Sequence, residues 1–320
     1  MFALAAVLLA FPTGDAAIRT KAGPSEIVVT TTRRLAGAIH SLTWHGQEFV
    51  DSVDHGRQLQ SAASFDLGRP NFWAECYNPT EAGSRRDHTG PNSTSLLLRQ
   101  GVSARSITTT NRMAFWLAPG EKSAGKPALN AAKLSAHTVS KTVTLNARGL
   151  AHAIQYDVAF TLPPGERHTL AQYEALTGYM PPKFALFETF DPRSGLFAPL
   201  SDGPGEQALP LVFSTPNGSH VLGVMVLDPA PPGSVGPGYG RWKFEREKVV
   251  KWNVVYRVRN PEGVPPGAYR YRVFLAVGSR ENVLTTLTQL RIAERGSRIE
   301  LQVPGWFSSS FPDSRSAIRD

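Results

Sequence analysis

Three stretches of this chain alternate apolar and polar residues with a period of two, and that pattern limits what it can fold into. Residues 137–147 (HTVSKTVTLNA), 154–162 (IQYDVAFTL) and 267–278 (GAYRYRVFLAVG) each send successive side chains to opposite faces. Residues 170–177 continue the series after the second, and 249–258 (VVKWNVVYRV) form a β-branched, aromatic run with Trp252 assigned to the core. Neighbouring antiparallel strands with one solvated face follow from such a series. Shorter runs at 26–32, 35–45, 48–53, 59–65, 93–100, 105–117, 184–190, 210–214, 219–227 and 241–244 also read as strands, with 35–45 an early hairpin. Only residues 280–292 carry a helical pattern: Val283, Leu284, Leu287 and Leu290 share one face, behind Ser279 as N-cap.

Twelve or more mostly antiparallel strands need two packed sheets or a closed barrel. The expected fold is all-β: a large two-sheet antiparallel sandwich with one short helix in the C-terminal half. The 28 Gly and 25 Pro suit many turns between short strands. Among the 320 residues no repeat and no composition break marks a linker, so 18–320 is read as one domain. The segments 201–207 (SDGPGEQ) and 229–240 are read as Gly/Pro loops.

Residues 1–17 are expected to be a signal peptide. Phe2–Phe11 supplies an apolar core too short to span a bilayer, with small residues at Ala16 and Ala17 but no basic n-region. Secretion or periplasmic export is the expectation, without stable membrane insertion. The lone Cys76 excludes an intrachain disulfide and a multi-Cys metal site. A net charge of +8 is read either as a solubility feature or as the mark of a polyanionic partner: nucleic acid, an anionic polysaccharide or a membrane surface. The basic residues are scattered, with no zinc-finger or RNA-binding signature, which argues against nucleic acid.

The longest polar interruption is Asp54–His88, and the functional site is expected there. Glu75 and Glu81 flank Pro79, whose bend would let two carboxylates face one cavity, as glycosidic cleavage requires. His55 and His88 are candidate proton carriers. Arg57 carries a planar fork suited to a uronate or paired hydroxyls. Trp73 and Tyr77 bracket Glu75 with surfaces on which a sugar ring packs, and Asn78 and Gln60 offer hydrogen bonds. Asp202 and Glu206 in the SDGPGEQ segment, with Tyr239 and Trp242 beside GPGYGRW, are the candidates from outside the stretch. Each has a structural alternative: a surface charge, a turn cap or core packing. No cofactor fingerprint is present, and no metal site is required by the spacing.

The early hairpin followed by Asp54-His-Gly-Arg-Gln-Leu-Gln60, and the closing pair KWNVVYRVRNPEGVPPGAYRYRVFLAVG, resemble the galactose mutarotase-like superfamily. That resemblance implies the two-sheet sandwich and a carbohydrate ligand more than any one reaction. The leading expectation is an exported enzyme that cleaves a glycosidic bond with Glu75 and Glu81 as acid/base pair. A sugar epimerase or mutarotase, a polysaccharide lyase with a His or Tyr base, and a non-catalytic glycan-binding module are the alternatives.

Overall fold

The computed structural model describes residues 12–51, 53 and 56–302. The apolar run Phe2–Phe11, His55 and the C-terminal GWFSSSFP lie outside the described residues. Ala16 and Ala17 open the first strand, Ala16–Ala22, and pair with Thr31 and Thr30.

The fold is all-β, and every ladder among the described residues is antiparallel. One fifteen-stranded sheet folds on itself to make the two layers. In the first layer Leu186–Asp191, Leu211–Ser214, Val221–Met225, Gly267–Gly278, Ala153–Leu162, Leu134–Leu145 and Ser106–Phe115 lie side by side in that order. In the second, Gln60–Phe65, Leu170–Met180, Val249–Arg259, Ser234–Phe244 and Gly205–Gln207 do the same. The two-residue strand Pro79–Thr80 is the fold line, paired to Phe115 and Ala114 on one side and to Ala62 on the other. A separate four-stranded sheet, starting with Ala16–Ala22 and Ser25–Thr31, contributes Ile18, Ile27 and Val29 to the same core.

The alternating runs become the strands expected of them. In Leu134–Leu145 every second side chain is buried, and its partner Ala153–Leu162 behaves likewise. The layers meet through aromatic rings: Tyr256 stacks on Tyr271 at 4.2 Å, and Tyr173 on Tyr269 at 4.8 Å. Trp252 is 1% exposed, in the core as expected.

Three expectations are corrected. Residues 229–240 are not all loop, because Ser234–Phe244 is one strand with a register shift between Val235 and Gly238. Its glycines are there for close approach. A Cβ on Gly238 would meet Glu206 Oε1 at 2.4 Å, and one on Gly240 would meet Asn253 Oδ1 at 2.3 Å. Within SDGPGEQ, Gly205–Gln207 pairs with that strand as the sheet edge. The helix runs Arg280–Gln302, well past its last core contact. Val283, Leu287 and Leu290 are fully buried along it. Ser279 does cap it, its Oγ accepting from the Asn282 amide at 3.2 Å.

Candidate functional site

Four neighbouring strands of the second layer turn their outer faces toward a cavity of about 490 Å³. This lies within the 300–1,000 Å³ typical of small-molecule sites. Gln60, Ala62 and Ser64 come from the first strand, and Gln172, Glu174, Thr177 and Tyr179 from the second. Lys251, Asn253, Val255 and Arg257 come from the third, and Trp242 and Phe244 from the fourth. The segment from Trp73 to Thr80, with Trp116, makes the wall.

The Leu170–Met180 strand shows how the floor is built. Gln172 and Glu174 face the cavity while Tyr173 and Ala175 face the core. A register shift against both neighbours follows Glu174, so that Ala175 and Leu176 both point inward. Beyond the bulge the parity is inverted, and Thr177 and Tyr179 reach the same cavity as Glu174. Gly56 completes the fit: a Cβ there would lie 2.1 Å from the Tyr179 ring.

Two carboxylates, a phenol and an ammonium converge on this floor. Lys251 Nζ lies 5.5 Å from the Tyr179 ring centroid and 5.2 Å from that of Trp242. Burial, the largest influence on Lys251, favours the neutral amine. Tyr179 and the charges of Glu174 and Glu75 outweigh it, leaving the Lys251 pKa above its usual value. Burial is likewise the main reason that the Tyr179 phenol is raised, with Lys251 opposing and Glu174 and Glu75 adding to it. At neutral pH the pair is therefore an ammonium beside a protonated phenol, with two carboxylates close enough to act on both. Glu75 is held by the Ser123 hydroxyl, which also accepts from the Trp73 indole at 3.1 Å. The Glu174 carboxylate makes no hydrogen bond or ion pair among the described residues. The Asn253 amide oxygen is buried without a partner. At the rim Arg257 grips Glu206 with two bonds of 2.7 Å and reaches Gln172 at 3.0 Å.

Of the residues singled out from sequence, Glu75, Gln60, Trp73, Asn78, Glu206 and Trp242 line this cavity. Glu81 does not. The fold line at Pro79–Thr80 carries it between the layers, where it ion-pairs with Lys141, both side chains 1% exposed. Its other oxygen accepts from the Ser61 amide at 3.0 Å and the Tyr156 hydroxyl at 3.3 Å. Arg57 is also buried: its guanidinium donates to the carbonyls of Ala82, His88 and Arg34 at 2.7–2.8 Å and fastens three loops together. The expected substrate fork is thus a structural clamp. His88 is exposed and supplies that carbonyl from a turn. Tyr77 packs between the layers against Phe65 and Phe115. Tyr239 is a core residue whose hydroxyl accepts from the Val226 amide at 2.8 Å. Asp202 is exposed and paired with Lys243. Gln60 and Asn78 spend their amide protons on the carbonyls of Gly56 and Ala63.

Sequence reasoning passed over Glu174, Tyr179, Lys251, Asn253 and Arg257. For the last three the signal was available, as the odd-numbered residues of a strand whose Trp252 was already assigned to the core. A second groove of about 370 Å³ lies on the first layer, lined by Thr108, Asp157, Arg270 and Arg272 among others. Its acidic and basic groups other than Lys141 are exposed or half-buried, and Arg272 is paired with Asp157 at 2.7 Å.

No family model matches the chain, and no curated protein matches it. Solved structures are similar to it. An α-mannosidase from Enterococcus faecalis V583 aligns over 90% of this chain and 32% of its own, at 10% identity and a TM-score of 0.49. An α-galactosidase from Lactobacillus brevis aligns over 85% and 40%, at 9% identity and 0.42. The Slr1438 protein from Synechocystis sp. PCC 6803 aligns over 88% and 100%, at 10% identity and 0.42. This chain thus spans well under half the length of the two glycosidases. At these scores and identities the similarities bear on neither its reaction nor its ligand.

Proposed function

We propose that this protein acts on a saccharide by acid–base chemistry in the cavity floored by Glu174, Tyr179 and Lys251, and that the reaction is cleavage of a glycosidic bond. The observation that carries the reading is the convergence of Glu174 and Glu75 on a protonated Tyr179–Lys251 pair, inside walls made of Trp73, Trp116 and Trp242. The indoles offer flat apolar surfaces for the C–H face of a sugar ring, while the amide and carboxylate groups take its hydroxyls. Cleavage needs one group to give a proton to the leaving oxygen and another to activate water or attack the sugar carbon. The Tyr179 phenol is a candidate for the first role because the neighbouring ammonium would stabilise the phenolate left behind, and the Glu174 carboxylate for the second. Glu75 stands as the alternative donor, and Arg257 with Glu206 would orient the substrate at the rim.

Mutarotation of a free sugar is the second reading. It is favoured by the same protonated phenol, which would donate to the ring oxygen while a carboxylate takes the anomeric proton. A lyase with tyrosine as base fits less well, because burial raises the Tyr179 pKa and holds its proton. No histidine is among the described residues that line the cavity. Assays on neutral and uronic poly- and oligosaccharides separate the readings. New reducing ends without unsaturated product are expected. Unsaturated product would indicate elimination instead, and accelerated anomer exchange alone would indicate mutarotation. Binding without turnover would reduce the protein to a glycan-binding module.

A further inference from the structure

A second cluster of chemistry-bearing side chains lies away from this cavity and takes no part in the reading above. His137, near the start of the Leu134–Leu145 strand, meets Glu166 and His168 from the turn between Ala153–Leu162 and Leu170–Met180. Glu166 and His168 are two apart in that turn, and their side chains meet. The three ligand atoms lie within 4.8 Å of one another. One carboxylate oxygen of Glu166 contacts both imidazoles, at 2.8 Å from His137 Nε2 and 3.0 Å from His168 Nε2. The imidazoles are 3% and 0% exposed. Their rings flank Phe65, with centroids 4.6 and 4.5 Å from its own.

We propose that His137, Glu166 and His168 bind a divalent transition-metal ion of the zinc type. Two imidazole nitrogens and one carboxylate oxygen are the donor set that such ions prefer over magnesium or calcium. A tetrahedral ion with bonds of about 2.0–2.1 Å holds its ligands roughly 3.3–3.5 Å apart. The two Glu166 contacts would need to open by about half an ångström, and the two imidazole nitrogens, in a cluster spanning 4.8 Å, to draw together to the same spacing. Of the three, Glu166 also borders a cavity of about 340 Å³, together with Tyr77, Leu67 and Leu129.

The location gives the ion a structural role. The Ala153–Leu162 strand belongs to the first layer and Leu170–Met180 to the second, so the turn carrying Glu166 and His168 is a crossover between layers. The His168 carbonyl also accepts from the Val264 amide at 2.7 Å, tying in a third segment. An ion here fastens that crossover to the Leu134–Leu145 strand.

The test uses the full chain, stripped with a chelator and titrated with Co²⁺, whose visible absorption reports nitrogen-and-oxygen coordination. The expected result is saturable binding of one equivalent, displacement by Zn²⁺, and a higher melting temperature with either ion. Glu166→Gln keeps the shape and the hydrogen-bonding capacity of the side chain, and His168→Gln removes one ligand. Each should weaken binding by at least about tenfold, while Glu75→Gln, in the other cavity, leaves it unchanged. A chain that shows no saturable Co²⁺ band, or binding indifferent to Glu166→Gln and His168→Gln, overturns the proposal.

Discussion

Glu81 is the residue on which sequence and structure part most sharply, and its exchange separates a buried strut from a catalytic acid. Lys141→Met leaves the Glu81 carboxylate in a site where only 1% of the side chain is exposed. Removing one partner of a buried pair costs about 3–5 kcal/mol. Glu81 retains the Ser61 amide and the Tyr156 hydroxyl and can take up a proton, so the lower end, about 3 kcal/mol, is expected. At roughly 2–4 °C per kcal/mol for a large domain, the melting temperature should fall by about 6–12 °C. The double exchange Glu81→Leu, Lys141→Met removes both charges and should return most of that loss.

Glu81→Gln adds a signature in pH. In the intact chain burial lowers the Lys141 pKa to about 7, against about 10.4 in the unfolded chain, and loss of the neighbouring Glu81 charge lowers it further. Between those values the unfolded state binds the extra proton, so the variant gains stability as pH rises from 7 toward 10 and loses it as pH falls back through 7. The full span is on the order of 5 kcal/mol. Differential scanning fluorimetry across pH reads both effects. If Glu81→Gln instead loses turnover by a factor of about 10²–10⁴ at an unchanged melting temperature, Glu81 is a catalytic acid and the assignment fails.

Other perturbations probe the cavity and the N-terminus. Gly56→Ala puts a methyl 2.1 Å from the Tyr179 ring, so it should displace Tyr179 and cut turnover more than it cuts stability; an unaffected enzyme would show that Tyr179 is dispensable. Trp242→Ala removes the indole beside Lys251 and should weaken saccharide binding by about 1 kcal/mol or more, read by calorimetry. Arg257→Ala should raise KM with a stability change within about 1 kcal/mol, since its pair with Glu206 is partly exposed. Export predicts a mature chain beginning at Ile18 in the secreted or periplasmic fraction, checked by N-terminal sequencing; an unprocessed chain retained in the cytoplasm would contradict it.

The fold was legible because period-two alternation survives wherever one face of a strand packs and the other does not. Residues 137–147, 154–162 and 267–278 kept that pattern, and each became a strand. The site was legible only along its wall, where Trp73, Glu75 and Asn78 stand in an irregular polar segment. Its floor was hidden by two local devices. The bulge after Glu174 breaks the alternation just where two catalytic candidates straddle it, so Glu174 and Tyr179 do not share a sequence parity. The glycines of GPGYG read as a loop, yet they mark where Glu206 and Asn253 press against a strand backbone. Glu81 misled for a different reason. A polar residue after a proline bend looks exposed unless its partner is known, and Lys141 is 60 residues away in a strand whose alternation puts it inward.

The claim that the four-strand floor is a saccharide site is tested most directly by the structure of Glu174→Gln with a bound oligosaccharide. A sugar ring is expected on the Trp242 side of the cavity, hydrogen-bonded to Tyr179 and to the residue at position 174. A saccharide seated in the groove of Asp157 and Arg270, or clear of Glu174, Tyr179 and Lys251, would contradict it.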